Sequence, residues 1–431
     1  MMRVYPRKST VGVLLAVLLI SASLTSCGGA ENSARPGATN LTVEASGAMW
    51  VAYRDGDGAW QVLEGEARYM LELEHPEGRY SVAHVCAAGL DEGAGEEVAR
   101  EVTVSLLHTT LAAHPSVPTP CADETEDGTE KDFYALSGIV KGLEAGETAL
   151  VYSAFLADAV TADAPGYSLA GFTTGEHDLL VTVQQPAQET PSAEATPPSK
   201  VLVRRGVAVK GDETLDLDLS RAIPTTFKRV DVTDVTPGSE VSSSLSLVTE
   251  RGTSGALGAI FSERLDAEAF SFDYAALPAL PEGTTYRLSV ESFSEDAQGQ
   301  RLSTSLERTF MASEDLALSL PETLGMAELS SDGGRPTLTW SAYREGADYT
   351  LVFESSDDDA GETRYLVALG AAWLPPGARD LRYTLPDLSD LPGWGDTWEL
   401  RTDLFWSLSA RAERENEVVT ASRSSALPET D

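Results

Sequence analysis

Apolar residues that recur in steps of two, in short runs closed by Gly, Asp or Pro, constrain this chain more than any other feature. Met49, Val51 and Tyr53 alternate before Asp55-Gly56-Asp57-Gly58 breaks the run, and Trp60 and Val62 resume it. That is the pattern of a strand, a tight turn and a returning strand. The rhythm returns at Tyr69, Leu71 and Leu73, at Tyr80, Val82, His84 and Cys86, and at Val102, Val104 and Leu106. No long segment of the 431 residues keeps the i, i+3, i+4, i+7 stripe of an amphipathic helix; a helical turn or two is expected only within 91–100 and 262–269. Short strands with no helices between them specify an all-β protein, and a chain of this length divides into tandem sandwiches.

Residues 1–26 stand outside that pattern. Arg3, Arg7 and Lys8 precede an apolar run from Val11 to Ile20, and Ser21 to Ser26 are small and weakly polar. The run is shorter than the ~20 apolar residues that cross a bilayer, so this segment is expected to be a cleaved export signal. Leu24-Thr25-Ser26-Cys27 closes it and resembles the lipobox of bacterial lipoproteins; the alternative is a secretory signal whose Cys27 merely follows the cut. The resemblance implies a diacylglycerol thioether on Cys27, cleavage just before it and acylation of the new amine. Each buried methylene would then contribute ~0.8 kcal/mol to holding the chain on a membrane. Gly28 stands where enterobacterial inner-membrane lipoproteins carry Asp, which implies the outer membrane of a cell envelope. Residues 27–40 lack an apolar period and are expected to be a flexible tether.

The formal charge is −37. Such a field repels nucleic acid and anionic headgroups, so no nucleic-acid partner is expected, and plain solvation accounts for the charge. Cys27 is assigned to lipid, which leaves Cys86 and Cys121 as an even pair in an exported chain. Compartment and parity predict a disulfide between them, worth ~4 kcal/mol in the chain-entropy model; two buried thiols are the alternative.

Four units follow the tether, with expected boundaries 41–122, 132–222, 225–312 and 313–425. An acidic stretch, 122–131, separates the first two. In the second, Gly138-Ile139-Val140, Gly166-Tyr167-Ser168-Leu169 and Gly175 to Val181 resemble the opening strands of the carboxypeptidase-regulatory-like, transthyretin-like β-sandwich. Residues 184–199 read as an exposed excursion, and Lys200 to Val209 and Thr214 to Leu219 as returning strands. In the third, Val241 to Leu247, Phe270 to Tyr274 and Tyr286 to Val290 alternate, and the break at Asp296 to Gly299 leads into a final hairpin strand, Arg301 to Phe310. In the fourth, Pro336-Thr337-Leu338-Thr339-Trp340, then Tyr349, Leu351 and Phe353, and later Leu404, Trp406, Leu408 and Ala410, resemble a fibronectin type III domain. Its loops 370–377 and 390–396 are longer than that family's turns.

Sites of chemistry are scarce. Asp55 to Gly58 fits a hairpin turn better than a calcium loop. Asp357-Asp358-Asp359 fits a solvated tip. None of the five histidines, His75, His84, His108, His114 and His177, has metal-site spacing. Gly166 to Ala170 lacks the last glycine of a nucleophile elbow. No catalytic residue, metal or cofactor is therefore expected. Trp340 and Trp406 fit a sandwich core, whereas Trp373, Trp394 and Trp398 lie in the long loops of the last unit. There they would either stack on a ligand or fold under as anchors. The expected function is that of a lipid-anchored, non-catalytic envelope protein acting as spacer, adhesin or assembly part, with envelope proteins or glycans as partners. The alternative is a carbohydrate-binding or glycan-processing surface lipoprotein using Trp373, Trp394 and Trp398.

Overall fold

A computed structural model describes residues 40–88, 101–118, 121, 132–154, 156–185, 197–258, 261–332, 334–357, 361–401 and 404–425. Cys27, the expected export signal, nearly all of the expected tether, the acidic stretch 122–131, 91–100 and most of 184–199 lie outside them, as do Asp358 and Asp359. The chain is all-β. The helical pieces among the described residues are short 3-10 turns at Leu219–Arg221, Ala371–Trp373 and Asp396–Trp398, and no helix there is long and apolar enough to cross a membrane.

The strands form sandwiches. In the first unit, Asn40–Glu44 pairs antiparallel with Arg68–Glu72 and parallel with Ser116–Pro118. That small sheet closes a core of Leu41, Val43, Val51, Tyr80, Val82 and Val117 against Trp50–Asp55, Arg79–Ala88 and Glu101–Thr110. In the second unit, Thr148–Tyr152, Gly175–Gln184 and Lys200–Val209 lie at the centre of a five-stranded sheet, and Tyr134–Lys141 and Gly166–Phe172 face it. The core between them includes Leu136, Val151, Tyr167, Leu179 and Val181.

One sheet crosses three of the expected units. Thirteen strands among the described residues belong to it. Arg301–Phe310 of the third unit pairs antiparallel with Glu417–Ser424 of the fourth. At the other side of the fourth unit, Gly361–Leu369 runs parallel to Glu101–Thr110 of the first. Two sandwich edges that would each offer unpaired N–H and C=O groups to solvent are thereby consumed, which is how a sheet protein avoids edge-to-edge association. The largest core cluster accordingly runs from Trp50 through Val104, Leu247, Tyr286 and Trp340 to Ala421.

Three local expectations change. The face of Trp50–Asp55 that carries Met49 and Val51 is not its only apolar face: Met49 is 58% exposed, whereas Trp50 and Ala52 are buried. The first unit's sheet is covered on both sides, by its own small sheet and by loops of the fourth unit, so simple alternation underestimates what it buries. Within 262–269 there is no helical turn. Phe261–Leu265 is a strand paired with Ser239 to Ser243, because an open edge offers that backbone more hydrogen bonds than one isolated turn would. Thr214 to Leu219 is only two short bridges, Glu213–Thr214 and Leu217–Asp218. Asp218 then caps the 3-10 turn by accepting the Ser220 N–H at 2.9 Å.

Candidate functional site

The long loops of the fourth unit form its joint with the first. Gly370 donates its N–H to the His108 carbonyl at 2.8 Å, which starts the turn Ala371–Trp373 against the first unit. Arg79 then donates to the Trp373 carbonyl at 2.8 Å, and its guanidinium carbon lies 5.4 Å from the centre of that indole. In the second loop, the Trp50 indole donates to the Pro392 carbonyl at 3.0 Å. Trp394 meets Trp50 edge to face at 5.0 Å and Trp398 at 5.2 Å, and the buried Tyr365 hydroxyl donates to the Trp398 carbonyl at 2.8 Å. Trp394 and Trp398 are therefore anchors packed on Trp50, and Trp398 is only 8% exposed. Trp373 reaches an opening.

That opening is a cleft of about 370 Å³ between the two units, within the ~300–1,000 Å³ typical of small-molecule sites. Arg54, Trp60 and His108 line it from the first unit, and Arg335, Trp373, Arg382, Tyr383 and Asp387 from the fourth. Arg54 lies over Trp60, 5.2 Å from the ring centre, a cation–π contact, and its guanidinium donates to the Ser81 hydroxyl at 3.4 Å. Arg382 pairs with Asp332 at 2.8 Å, with both side chains largely exposed. Asp387 holds its carboxyl below the usual range, first through the Ser389 hydroxyl and N–H and more weakly through the charge of Arg335.

Beneath the cleft lies a buried polar chain. The His108 ring is within 2.7 Å of the Ser81 hydroxyl through Nδ1 and within 2.8 Å of the Tyr383 hydroxyl through Nε2. A neutral imidazole has one N–H and one lone pair, so either tautomer satisfies both contacts. Burial, and then the positive charge of Arg54, push His108 down to about 3, so it is neutral at pH 7. Burial likewise raises Tyr383. A Ser–His contact is the first half of a nucleophile–base pair, but Ser81 is fully enclosed and presents no oxygen to a substrate carbonyl. The chain Ser81–His108–Tyr383 locks the joint.

The other expected positions are structural. Cys86 and Cys121 form the disulfide, tying Arg79–Ala88 to the chain beyond Ser116–Pro118. Asp55 accepts the Glu74 and His75 N–H groups at 2.6 and 3.2 Å, so its carboxylate fixes a neighbouring turn. Among the described residues no three His, Cys, Asp or Glu side chains converge as a metal site. Sequence reasoning missed Arg54, His108 and Tyr383 as neighbours. Each does continue an alternating apolar face (Trp50 and Ala52; Val104 and Leu106; Leu381), and a polar residue at an inward strand position is the signal that marks it. No family model matches this chain, and no curated protein matches it.

Proposed function

We propose that the chain is a lipid-anchored, non-catalytic cell-envelope protein in which β-sandwich modules serve as spacer, adhesin or assembly part. The observation that carries the reading is the pair of strand-to-strand joints. A spacer or platform needs modules that do not swing, and hydrogen-bonded sheet continuity removes the hinge that a loop linker leaves. The export signal and the Leu24 to Cys27 motif supply the anchor, by resemblance to bacterial lipoproteins, and Gly28 favours the outer membrane.

The finer identity of the modules follows the same resemblances. The fourth unit sets Ala327–Asp332, Arg335–Ser341 and Asp380–Thr384 in one sheet and Gly361–Leu369, Asp348–Asp357, Phe405–Arg414 and Glu417–Ser424 in another. That three-and-four division supports the fibronectin type III reading. The glycine at 138 and the five-stranded sheet that faces its strand support the transthyretin-like reading of the second unit. The test of the anchor is a Cys27→Ser chain expressed beside the parent with labelled palmitate. The parent is expected to take up label and sediment with membranes, and the variant to do neither; equal sedimentation with no label in the parent would defeat the reading.

The alternative, a glycan-binding surface protein, is favoured by one feature, the aromatic and arginine-lined cleft that includes Trp373. Glycoside cleavage calls for two carboxyl groups about 5–9.5 Å apart, and among the described lining residues Asp387 is the one carboxylate. The geometry therefore supports binding rather than cleavage.

A further inference from the structure

We infer that the cleft between the first and fourth units binds an acidic saccharide, with the arginines taking its carboxylate and Trp60 and Trp373 the apolar face of its ring. This names the ligand class for the glycan-binding alternative, on whose cleft it rests, and it does not depend on Cys27.

Charge distribution is the first support. The chain has 68 acidic residues against 31 Lys and Arg, yet three arginines and one aspartate line this cleft, and Arg79 lies directly behind Trp373. Random placement in so acidic a chain gives the opposite balance. The partners of these cations are the second. Two arginines more deeply withdrawn from water do face carboxylates, Arg364 facing Glu354 at 2.9 Å and Arg423 facing Asp296 at 2.9 Å, as buried cations require. Arg54 and Arg79 instead contact a hydroxyl, a carbonyl and indole rings. Arg54, its guanidinium held against the Trp60 ring in the wall of the opening, is preset for a planar, two-oxygen acceptor, for which the bidentate fork is suited.

The aromatic lining decides between a bare anion and a sugar acid. Trp60 and Trp373 stand half-buried in the wall, and their amphipathic rings suit a ligand with one apolar face and a polar edge. A phosphate ion would use none of that surface. The position makes the site rigid as well. His108, 1% exposed, and Tyr383 floor the cleft and are locked to Ser81, so its walls are set before a ligand arrives and little ordering entropy is lost on binding.

The experiment uses the full chain at about 0.15 M salt, where a screening length of about 8 Å hides the remote acidic surface. Titration calorimetry with trigalacturonate is expected to give saturable binding with Kd below about 1 mM, and the neutral galactose trimer to bind at least about tenfold more weakly. Arg335→Gln with Arg382→Gln, both at the solvent side of the cleft, is expected to weaken trigalacturonate about tenfold or more, which corresponds to ~1.4 kcal/mol. The unfolding midpoint should stay unchanged, because exposed ion pairs contribute little. Trp60→Leu is expected to weaken trigalacturonate while leaving any retention of inorganic phosphate as it was. No saturable binding, equal binding of the neutral trimer, or an unchanged affinity in the double arginine variant would each overturn the inference. Inorganic phosphate displacing the saccharide at equal concentration would overturn its sugar half. A membrane-bound parent with no affinity for trigalacturonate leaves the anchored-scaffold reading standing.

Discussion

At the scale of residues, two side chains show how much depends on immediate surroundings. His108 is neutral because its charged form would be dehydrated and would face Arg54. Its folded value, about 3, lies below the 6.5 of a free imidazole, so between those values the unfolded chain holds the extra proton. The stabilising effect is complete above about pH 6.5 and is lost as pH falls towards 3. Half-buried His84, pushed down to about 4 by burial, acts in the same direction. At pH 4.5 the His108 contribution amounts to about 3 kcal/mol of lost stability. Urea titrations at pH 4.5 and 7 are expected to show a smaller pH difference for His108→Gln than for the parent; an equal difference would place the titrating group elsewhere. Gly138 is the second case. A Cβ there would lie 2.0 Å from the Leu215 carbonyl oxygen, on backbone that cannot swing aside as a side chain can. Gly138→Ala is expected to cost about 2–4 kcal/mol, measured by chemical unfolding of the full chain. Gly211, with open space around its Cβ position, is the control and should tolerate Ala.

At the scale of elements, the joints and the disulfide carry the consequences. Ala421 is fully buried in Glu417–Ser424, opposite Thr304 on one side and Ala410 on the other. Proline cannot donate to a ladder and is confined to edges. Ala421→Pro is therefore expected to destabilise the third and fourth units together by more than ~3 kcal/mol, visible as one lowered transition. The Cys86–Cys121 bond ties a strand of the main sheet to the segment after Ser116–Pro118. Replacing both cysteines with serine is expected to lower stability by up to ~4 kcal/mol, with the first unit opening earliest under limited proteolysis. If the double variant unfolds at the parent's midpoint, the bond contributes nothing net.

At the scale of the whole molecule, the cores divide the chain less finely than the four expected units. The second unit has a core of its own and so does the small sheet of the first, while the largest cluster joins the first, third and fourth and takes in Leu180 and Val201 of the second. The second meets the third through apolar packing, with Leu180 and Tyr152 against Gly255, and through Arg251, which reaches Glu176 and, at 3.1 Å, the buried Asp178. Burial opposes ionisation of Asp178, but the Gly206 N–H and Arg251 outweigh it and hold its carboxyl below the usual range. All seven tryptophans, Trp50, Trp60, Trp340, Trp373, Trp394, Trp398 and Trp406, lie outside 132–222, so indole fluorescence reports the large body alone. Unfolding followed by fluorescence and by circular dichroism is expected not to coincide. Arg251→Ala should widen the gap by leaving Asp178 buried without its cation. Coincident curves in both proteins would mean that the whole chain unfolds as one.

Much of the fold was legible in local order. Period-two alternation names the strands because every second side chain on a pleat points the same way, and Gly and Asp mark the turns because few other residues accept those dihedrals. Lys200–Val209 and the Asp296 to Gly299 hairpin follow from that alone. The pairing of Gly361–Leu369 with Glu101–Thr110, the double-sided burial of Trp50 and Ala52, and the meeting of His108 with Tyr383 across 275 positions do not. They depend on which sheet edges find each other, and the free energy that selects those contacts appears only when distant apolar faces leave water together. Sequence thus determined that this chain is a series of strands with a marked amino end. The tertiary structure decided that three of its units share one sheet and that the loop of Trp373, with arginines from both sides of a joint, closes around a cleft.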